Sequence, residues 1–213
     1  AEFLGAVRRL CDAHGTLLVA DEVLTGFGRT GRMFACEHAG VSPDLMCLSK
    51  GLTGGYLPLA ATVVSDRIYD AFLSEDRAHT FFHGHSFTAN PLACAVALAS
   101  LDLFRDEPIL TRVQRLESKL SEGLSTLTER AFVGEVRVIG GVGVVELVSD
   151  RATRAAAGYL DELGPRLSAA FLDRGLLLRP LGNVLYFMPP YVITDAEVDW
   201  SLSQIREVLA AIR

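Results

Sequence analysis

The stretch DLMCLSKGLTGGYLPLAATVV, residues 44–64, contains two short apolar runs joined by a glycine-rich turn. The runs, 44–49 and 59–64, have the continuous apolar character of strands that are buried on both faces of a sheet. Other segments with a strand or helix pattern surround them: residues 16–20 as a strand, and residues 2–14, 66–73 and 90–104 as helices, the last with Asn90 as N-cap and Pro91 at its first position. Strands that alternate with helices predict an α/β layer.

The pattern changes near residues 105–108. The elements predicted beyond this point are a polar-faced helix over 109–130, two strands around a Gly-Gly turn over 134–149, a helix over 162–174, short strands at 176–179 and 184–187, and a terminal helix over 195–212. We therefore expect two domains, residues 1–106 and 107–213, of which the second is a small α+β domain.

The composition predicts a globular protein that binds neither nucleic acid nor a membrane. Of its 213 residues 50% are hydrophobic and 22% are charged, and the formal net charge of -6 argues against nucleic-acid binding. No apolar run approaches the roughly 18 residues that a membrane span requires. The first residues lack an initiator Met and do not resemble a signal peptide, so we expect an N-terminal part to precede them. The four cysteines are expected to be buried, reduced thiols of a cytoplasmic protein: Cys11, Cys36, Cys47 and Cys94.

Asp21 ends a strand that is otherwise apolar, and active sites of α/β sheets gather at the carboxyl ends of strands. The alternative is that Asp21 only caps the next turn. Glu22 should point to the opposite face, where we expect it to be solvated or to form a salt bridge. The loop that follows carries three glycines without the spacing of a P-loop, and we interpret it as a shaped active-site loop: Gly26, Gly28 and Gly31.

Lys50 stands out because the chain has eighteen arginines and only two lysines. It follows an apolar run at the end of the strand after that of Asp21, so both side chains could reach one sheet edge. An amine can form an imine and a guanidinium cannot, which indicates a nucleophile whose pKa is lowered by burial. The alternative is a lysine that caps carbonyl groups. The neighbouring glycines are expected to let the backbone pass close to a cofactor or a partner subunit: Gly51, Gly54 and Gly55.

An imine-forming lysine with a separate aspartate is typical of pyridoxal 5'-phosphate (PLP), whose pyridine nitrogen commonly pairs with a carboxylate. The stretch VADEVLTGFGRTGRMFACEHAGVSPDLMCLSKGLTGGYLPLAA, residues 19–61, resembles the class III, or omega, aminotransferases of PLP fold type I. FFHGHSFTANPLACAVALASL, residues 81–101, extends the resemblance. LLLRPLGNVLYFMPPYVIT, residues 176–194, narrows it to the branch that aminates the keto acid 8-amino-7-oxononanoate to 7,8-diaminononanoate in biotin biosynthesis.

The resemblance covers nearly the whole chain, which corresponds to the C-terminal half of such an enzyme: part of the large cofactor domain and then the small α+β domain. It implies that Asp21 binds the pyridine nitrogen and that Lys50 holds the cofactor through an imine. His85 and Ser86 would contact the cofactor, with Ser86 reaching the phosphate of the neighbouring subunit. Arg179 and Gly84 would bind the substrate. The implied partners are a keto acid and an amino donor, S-adenosylmethionine or lysine, and a second copy in a cytoplasmic homodimer with shared active sites.

Three other interpretations stay open. The chain could belong to another class III omega-aminotransferase with a different amine or omega-amino acid as substrate. It could be a noncatalytic fragment that forms oligomers through the helix over 90–104. The third is a metal-dependent hydrolase, whose ligands would come from five residues: His79, His83, His85, Asp21 and Glu22. The metal interpretation leaves Lys50 without a role, so we expect no metal.

Overall fold

The structure is a computed structural model that describes residues 1–156 and 163–211. The chain divides into two compact units, Ala1–Leu110 and Thr111–Arg213. Both units contain helices and strands, which confirms the predicted α/β class. Within the described ranges, no helix has both the length and the apolar composition needed to cross a membrane.

The first unit contains a three-stranded sheet in the order β1-β2-β3. Strand β1 (Val19–Asp21) runs parallel to β2 (Leu45–Leu48), and β3 (Ala61–Val64) pairs antiparallel with β2. Each strand lies mostly within a predicted run but is shorter. The strands were predicted to be buried on both faces of the sheet. Among the described residues this burial is incomplete, because Val19 is 56% exposed and Val63 is 53% exposed.

Three α-helices accompany this sheet: α1 (Glu2–His14), α2 (Asp66–Asp70) and α3 (Pro91–Asp106). The predicted cap of α3 is confirmed, because the Asn90 side chain accepts hydrogen bonds from the amides of Leu92 and Ala93 at 3.0 and 3.3 Å. Helix α2 ends three residues before the predicted position, at Asp70.

Asp44, at the start of β2, ties both flanking helices to the sheet. Its carboxylate accepts a hydrogen bond from the amide of Leu18 and forms ion pairs with Arg8 of α1 and Arg67 of α2, each at 2.8 Å. The amide of Leu18 and then the guanidinium of Arg8 lower the pKa of Asp44 to about 2. The carboxylate therefore stays ionised well into the acid range.

The second unit packs three helices on an antiparallel sheet. Its helices are α4 (Ile109–Ser125, which begins just before the unit boundary), α5 (Leu163–Leu172) and α6 (Asp195–Ala211). Its strands are β4 (Val133–Ile139), β5 (Val142–Asp150), β6 (Ala155–Ala156) and β7 (Val184–Phe187). β4 and β5 form the predicted hairpin, since Ile139 pairs with Val142 across the Gly-Gly turn. β5 also pairs with β6 and β7.

The core of this unit forms because apolar residues recur at helical spacing and so line one face of each helix. On α4 the buried side chains are Val113, Leu116, Leu120 and Leu124, and on α6 they include Val198, Leu202, Ile205 and Leu209. These faces pack against the sheet and against Phe171 of α5, which is fully buried.

Three predictions for this unit need correction or qualification. No strand forms at 176–179, where the amide of Leu178 bonds to the carbonyl of Leu176 at 3.1 Å. The helix predicted over 109–130 ends at Ser125, and a 3-10 helix, Thr126–Glu129, follows it. Residues 162 and 212, which were predicted to be the ends of two helices, lie outside the described residues.

Candidate active site

Asp21 and Lys50 come to the same edge of the first sheet. β1 and β2 are parallel, and Asp21, the last residue of β1, is paired in register with Cys47 of β2. β2 ends one residue later at Leu48, and Lys50 begins the 3-10 helix Lys50–Thr53 that follows. Both residues therefore lie where the carboxyl ends of neighbouring parallel strands meet, which is the usual location of ligand sites in α/β sheets.

The carboxylate of Asp21 is exposed, and its Oδ1 accepts a hydrogen bond from the amide of Val23 at 3.0 Å. This bond is the turn cap that the sequence offered as an alternative role for Asp21. The two roles are compatible, because a carboxylate has about four acceptor positions and one amide occupies a single one. Asp21 can therefore accept a further donor from a ligand at the sheet edge.

The main chain at Lys50 is held in an unusual conformation. Its φ of 40° lies in the left-handed region, which costs a residue other than glycine roughly 1–3 kcal/mol. Bonds on both sides keep it there: the Ser49 hydroxyl donates to the carbonyl of Leu59 at 2.8 Å, and the Ser100 hydroxyl of α3 donates to the carbonyl of Gly51 at 3.2 Å. The Lys50 side chain itself is exposed, so the described residues do not provide the burial that was predicted for it.

Glu22 differs from its prediction. It is neither solvated nor part of a described ion pair, but is 2% exposed. Its Oε2 accepts hydrogen bonds from the Thr25 hydroxyl and from the amide of Ala35 at 3.0 Å, and its Oε1 accepts one from the amide of Cys36 at 2.8 Å. Burial alone would raise the pKa of Glu22, but these hydrogen bonds outweigh it and hold the pKa below its ordinary value. Glu22 is thus a buried, ionised anchor.

The thiol of Cys36 lies next to the Glu22 carboxylate, and its pKa changes in the opposite direction. Burial, together with a hydrogen bond to Glu22, raises the pKa of Cys36 to about 11, which makes it a poor nucleophile. All four cysteines are free, as predicted, but only Cys36 is buried, whereas the other three are partly exposed: Cys11, Cys47 and Cys94.

The glycines of this region serve the packing of the loop. Gly28 and Gly31 have φ of 86° and 85°, and a Cβ on Gly26 would lie 2.8 Å from the carbonyl oxygen of Glu22. Gly51 was expected to approach a cofactor or partner subunit, but here it approaches Phe27, since an added Cβ would lie 2.7 Å from the Cβ of Phe27. Sequence reasoning missed Phe27, although an aromatic residue between two glycines was a signal of such close packing.

Gly84, His85 and Ser86 lie together in an exposed segment directly before α3. The amide of His85 donates to the Thr88 hydroxyl at 3.0 Å, and the amide of Phe87 donates to Nδ1 of His85 at 3.1 Å, so these residues form a local turn. In the described part of the chain, no hydrogen bond or ion pair joins this turn to Asp21 or Lys50.

Arg179 belongs to the second compact unit, in the segment between α5 and β7. Arg179 is exposed, whereas Leu178 before it is buried and Pro180 after it is half-buried. It follows the apolar run 176–178, which was predicted to be part of a strand. The segment thus presents the guanidinium of Arg179 to solvent.

The residues of the metal interpretation do not form a group of metal ligands in the described part of the chain. Across residues 1–156 and 163–211, no three His, Cys, Asp or Glu side chains form a group that could hold a metal ion. Nδ1 of His79 contacts the carbonyl oxygen of Ala71 at 3.3 Å, and the ring of His83 packs on Phe81 with centroids 5.5 Å apart.

Comparison with known proteins agrees with the geometry of the sheet edge. A family profile, aminotransferase class-III, matches residues 1–209. The chain is 51% identical to an adenosylmethionine-8-amino-7-oxononanoate aminotransferase of Synechococcus elongatus and 49% identical to that of Geobacter sulfurreducens. Each alignment covers 99% of this chain, and 48% and 47% of the respective relatives. The chain therefore spans about half the length of the curated relatives it matches.

Solved aminotransferase structures also match nearly the whole chain, again over about half of their own length. The adenosylmethionine-8-amino-7-oxononanoate aminotransferase of Methanocaldococcus jannaschii superimposes with a TM-score of 0.91 at 38% identity, over 98% of this chain and 49% of that one. An amine transaminase from an uncultivated Pseudomonas species, solved in its PLP-bound form, gives 0.91 at 40% identity, over 96% and 46%. With a family profile along nearly its whole length and a parallel sheet edge bearing a lysine and an aspartate, this chain belongs to the class III aminotransferase family.

Proposed function

We propose that this chain is part of a PLP-dependent aminotransferase that converts 8-amino-7-oxononanoate to 7,8-diaminononanoate in biotin biosynthesis. The observation that carries the proposal is that Lys50 and Asp21 lie at the carboxyl ends of two neighbouring parallel strands. The names of the relatives from Synechococcus elongatus and Geobacter sulfurreducens support this substrate.

The residues at this edge fit PLP. The cofactor needs an amine that can form a covalent bond and an anion for its pyridine nitrogen, and the edge offers exposed Lys50 and exposed Asp21. In this proposal Lys50 Nζ holds the cofactor covalently and Asp21 accepts the hydrogen bond of the pyridinium. When bound, PLP supplies an electron sink for the charge that develops on the substrate.

Lys50 has a second task in this proposal. With its amine free, Lys50 Nζ would take a proton from the substrate carbon that carries the transferred nitrogen and would give that proton up later in the reaction. The Asp21 carboxylate would stabilise the positive charge on the pyridine nitrogen. At an effective dielectric of 20, a charge pair about 4 Å apart is worth roughly 4 kcal/mol, or about three pKa units.

In this proposal the chain contains parts of two domains, and the small domain carries the arginine that binds the substrate carboxylate. Residues 1–106 form the C-terminal part of the large cofactor domain, and residues 107–213 form the small domain, which contributes Arg179. The exposed guanidinium of Arg179 has the fork geometry that binds a carboxylate with two parallel hydrogen bonds. Arg179 would therefore bind the distant carboxylate of the keto acid, and Gly84 would also contact the substrate.

The proposed assembly is a homodimer with shared active sites. His85 and Ser86 would contact the cofactor, and the Ser86 hydroxyl, exposed in the turn before α3, would donate to the phosphate of the neighbouring subunit. Mixing an inactive Lys50→Ala subunit with an inactive Ser86→Ala subunit of the full-length enzyme should restore activity at the one intact site of each hybrid. Verified hybrids without activity would show that Ser86 does not act across the dimer.

The amino donor in this proposal is S-adenosylmethionine, which the relatives' names suggest, and lysine is the alternative donor to assay. We also propose a cytoplasmic location, because the four cysteines are free, as is usual in a reducing compartment.

The decisive experiment compares the full-length enzyme with its Lys50→Arg variant. The wild type should bind PLP covalently, so that borohydride fixes the cofactor to Lys50, and it should transfer nitrogen from S-adenosylmethionine to 8-amino-7-oxononanoate. Lys50→Arg keeps the charge but should lose both properties. Covalent cofactor in the arginine variant would contradict the role of Lys50.

A second candidate function is transamination of another amine. The Pseudomonas amine transaminase is as similar to this chain, at 40% identity, as the Methanocaldococcus jannaschii enzyme is at 38%. If the wild type binds PLP covalently and aminates simple aldehydes or ketones but not 8-amino-7-oxononanoate, this second function is correct.

A further inference from the structure

We propose that Glu22 is a positioning residue of the transamination site. Its buried carboxylate anchors the loop 24–36, and this loop, through Phe27, fixes the main chain at Lys50. The inference rests on the proposed function, because it gives Glu22 its role relative to Lys50. It assigns work to a buried carboxylate that the proposed chemistry does not use.

The first step is the anchor itself. The carboxylate of Glu22 joins the end of β1 to residues thirteen and fourteen positions further along, through the amides of Ala35 and Cys36 at 3.0 and 2.8 Å. The Thr25 hydroxyl donates to the same carboxylate. The donors described around this carboxylate are neutral: the two amides, the Thr25 hydroxyl and the thiol of Cys36. Amides that converge on a buried carboxylate fix the loop strongly, because leaving either partner unpaired inside the protein is costly.

In the second step, Glu22 is linked to Phe27 through the turn of the loop. The amide of Gly26 bonds back to the carbonyl of Glu22 at 2.9 Å, so the loop turns immediately beside the anchor. The next residue, Phe27, is 3% exposed and has a φ of 56°, which only a well-determined loop would impose on it. Its ring lies between Phe34 and Phe104, with centroids 5.7 and 6.4 Å away.

The third step runs from Phe27 to Lys50. The Cβ of Phe27 lies so close to Gly51 that no side chain would fit there. The carbonyl of Gly51 also accepts a hydrogen bond from the Ser100 hydroxyl of α3 at 3.2 Å. Gly51 is therefore held between the loop and α3, and the peptide that precedes it carries Lys50 in its left-handed conformation. If the loop moves, the origin of the Lys50 side chain moves with it.

The test uses the full-length enzyme with PLP bound and the variant Glu22→Gln. The carboxamide has the same shape as the carboxylate, but an NH₂ group replaces one of the two acceptor oxygens. This NH₂ group must face an amide or hydroxyl that is itself a donor, so at least one hydrogen bond of the anchor is lost. Because small misplacements of a reacting group are costly, we expect kcat to fall about 10- to 100-fold while the KM for the keto acid stays within about twofold. The visible absorption of the bound cofactor, and the pH at which it changes, should shift as well.

Glu197→Gln is the matched control. Glu197 also accepts an amide and a threonine hydroxyl, both from Thr194 at 2.8 Å, but it lies in the second unit at the start of α6. The same chemical change there should leave kcat and the cofactor absorption unchanged. If Glu22→Gln lowers only the melting temperature and keeps wild-type kcat and absorption, Glu22 serves the fold alone and the inference is wrong.

Phe27→Leu provides a second variant in case Glu22→Gln does not fold. It does not alter Glu22 or its donors, but it removes the ring that packs near Phe34 and Phe104 and so loosens the loop beside Gly51. It should therefore lower kcat and shift the absorption in the same direction. Unchanged values in Phe27→Leu would overturn the proposed path to Lys50. A wild type without covalent PLP on Lys50 would instead refute the proposed function, which separates the two failures.

Discussion

Replacing Gly51 by alanine tests the close contact on which the position of Lys50 depends. The new Cβ would lie 2.7, 2.9 and 3.0 Å from the Cβ, Cδ2 and Cγ atoms of Phe27, well inside normal van der Waals distances. The nearest of these atoms is bonded directly to the backbone, so rotation of the side chain cannot move it away. Gly51 itself does not have the positive φ that alanine would resist, so the clash carries the whole cost.

The expected cost is that of overpacking a filled core, about 1–3 kcal/mol. Gly5→Ala is the matched control, because a Cβ at this position in α1 would meet only NH1 of Arg9 at an ordinary 3.5 Å. Alanine inside a helix is preferred over glycine by roughly 0.5–1 kcal/mol. The two substitutions should therefore change stability in opposite directions.

The assay is thermal unfolding of the full-length enzyme, together with the fraction of subunits that retain covalent PLP. Gly51→Ala should lower the midpoint and reduce cofactor content, since the clash displaces the peptide next to Lys50. Gly5→Ala should raise the midpoint slightly and leave the cofactor unchanged. A Gly51→Ala protein that unfolds at or above the wild-type midpoint, with full cofactor content, would refute the close approach of Phe27 to Gly51.

Three further predictions concern single side chains. Asp21→Asn should reduce kcat/KM by several orders of magnitude, on the scale of the roughly three pKa units assigned to its charge, and unchanged kinetics would refute its role. Arg179→Ala should raise the KM for the keto acid about 10- to 100-fold, as expected for a charge-assisted bond worth about 1.5–3 kcal/mol, with the amino-donor half-reaction unaffected; equal loss in both half-reactions would indicate a structural role. The pKa of Asp44 is lowered to about 2, so its stabilisation is complete above about pH 4 and is lost as the pH falls toward 2. The unfolding midpoint of the wild type should therefore be higher than that of Asp44→Asn at pH 7, and the difference should shrink as the pH falls from about 4 to 2. A difference that does not change with pH would contradict a stabilising role of the ionised Asp44.

The sequence predicted the elements whose signals are local. The cap and start of α3 followed from Asn90 and Pro91, and the hairpin of β4 and β5 followed from apolar runs around two glycines. The strand predicted at 176–179 was wrong because an apolar run can be buried without pairing in a sheet. Leu176 and Leu178 are buried in the core of the second unit, but their backbone turns and does not pair in a ladder. An apolar run indicates that its side chains are buried and does not show which backbone partner is available.

The candidate site was predictable only in part, for a related reason. A carboxylate and an amine at the ends of consecutive apolar runs indicate one sheet edge, because parallel neighbouring strands end together, and the structure has Asp21 and Lys50 there. The partners of Glu22 lie thirteen and fourteen residues away in a loop without periodicity. Strand alternation indicated which face Glu22 would take but not that a loop would cover that face.

The residues proposed for chemistry and the residues proposed to position them differ in exposure, and this difference has a physical basis. Asp21 and Lys50 are exposed, as groups that meet a cofactor must be, whereas Glu22 and Phe27 are almost completely buried. Positioning requires burial, because a hydrogen bond that competes with water holds a loop weakly and a buried one holds it firmly. A functional site on this sheet edge therefore needs two kinds of residue, and chemical reasoning from the sequence finds only the first kind. Substitutions at Glu22 and Phe27 should consequently affect the rate of the reaction without touching any reacting atom, which is the behaviour that separates positioning from binding.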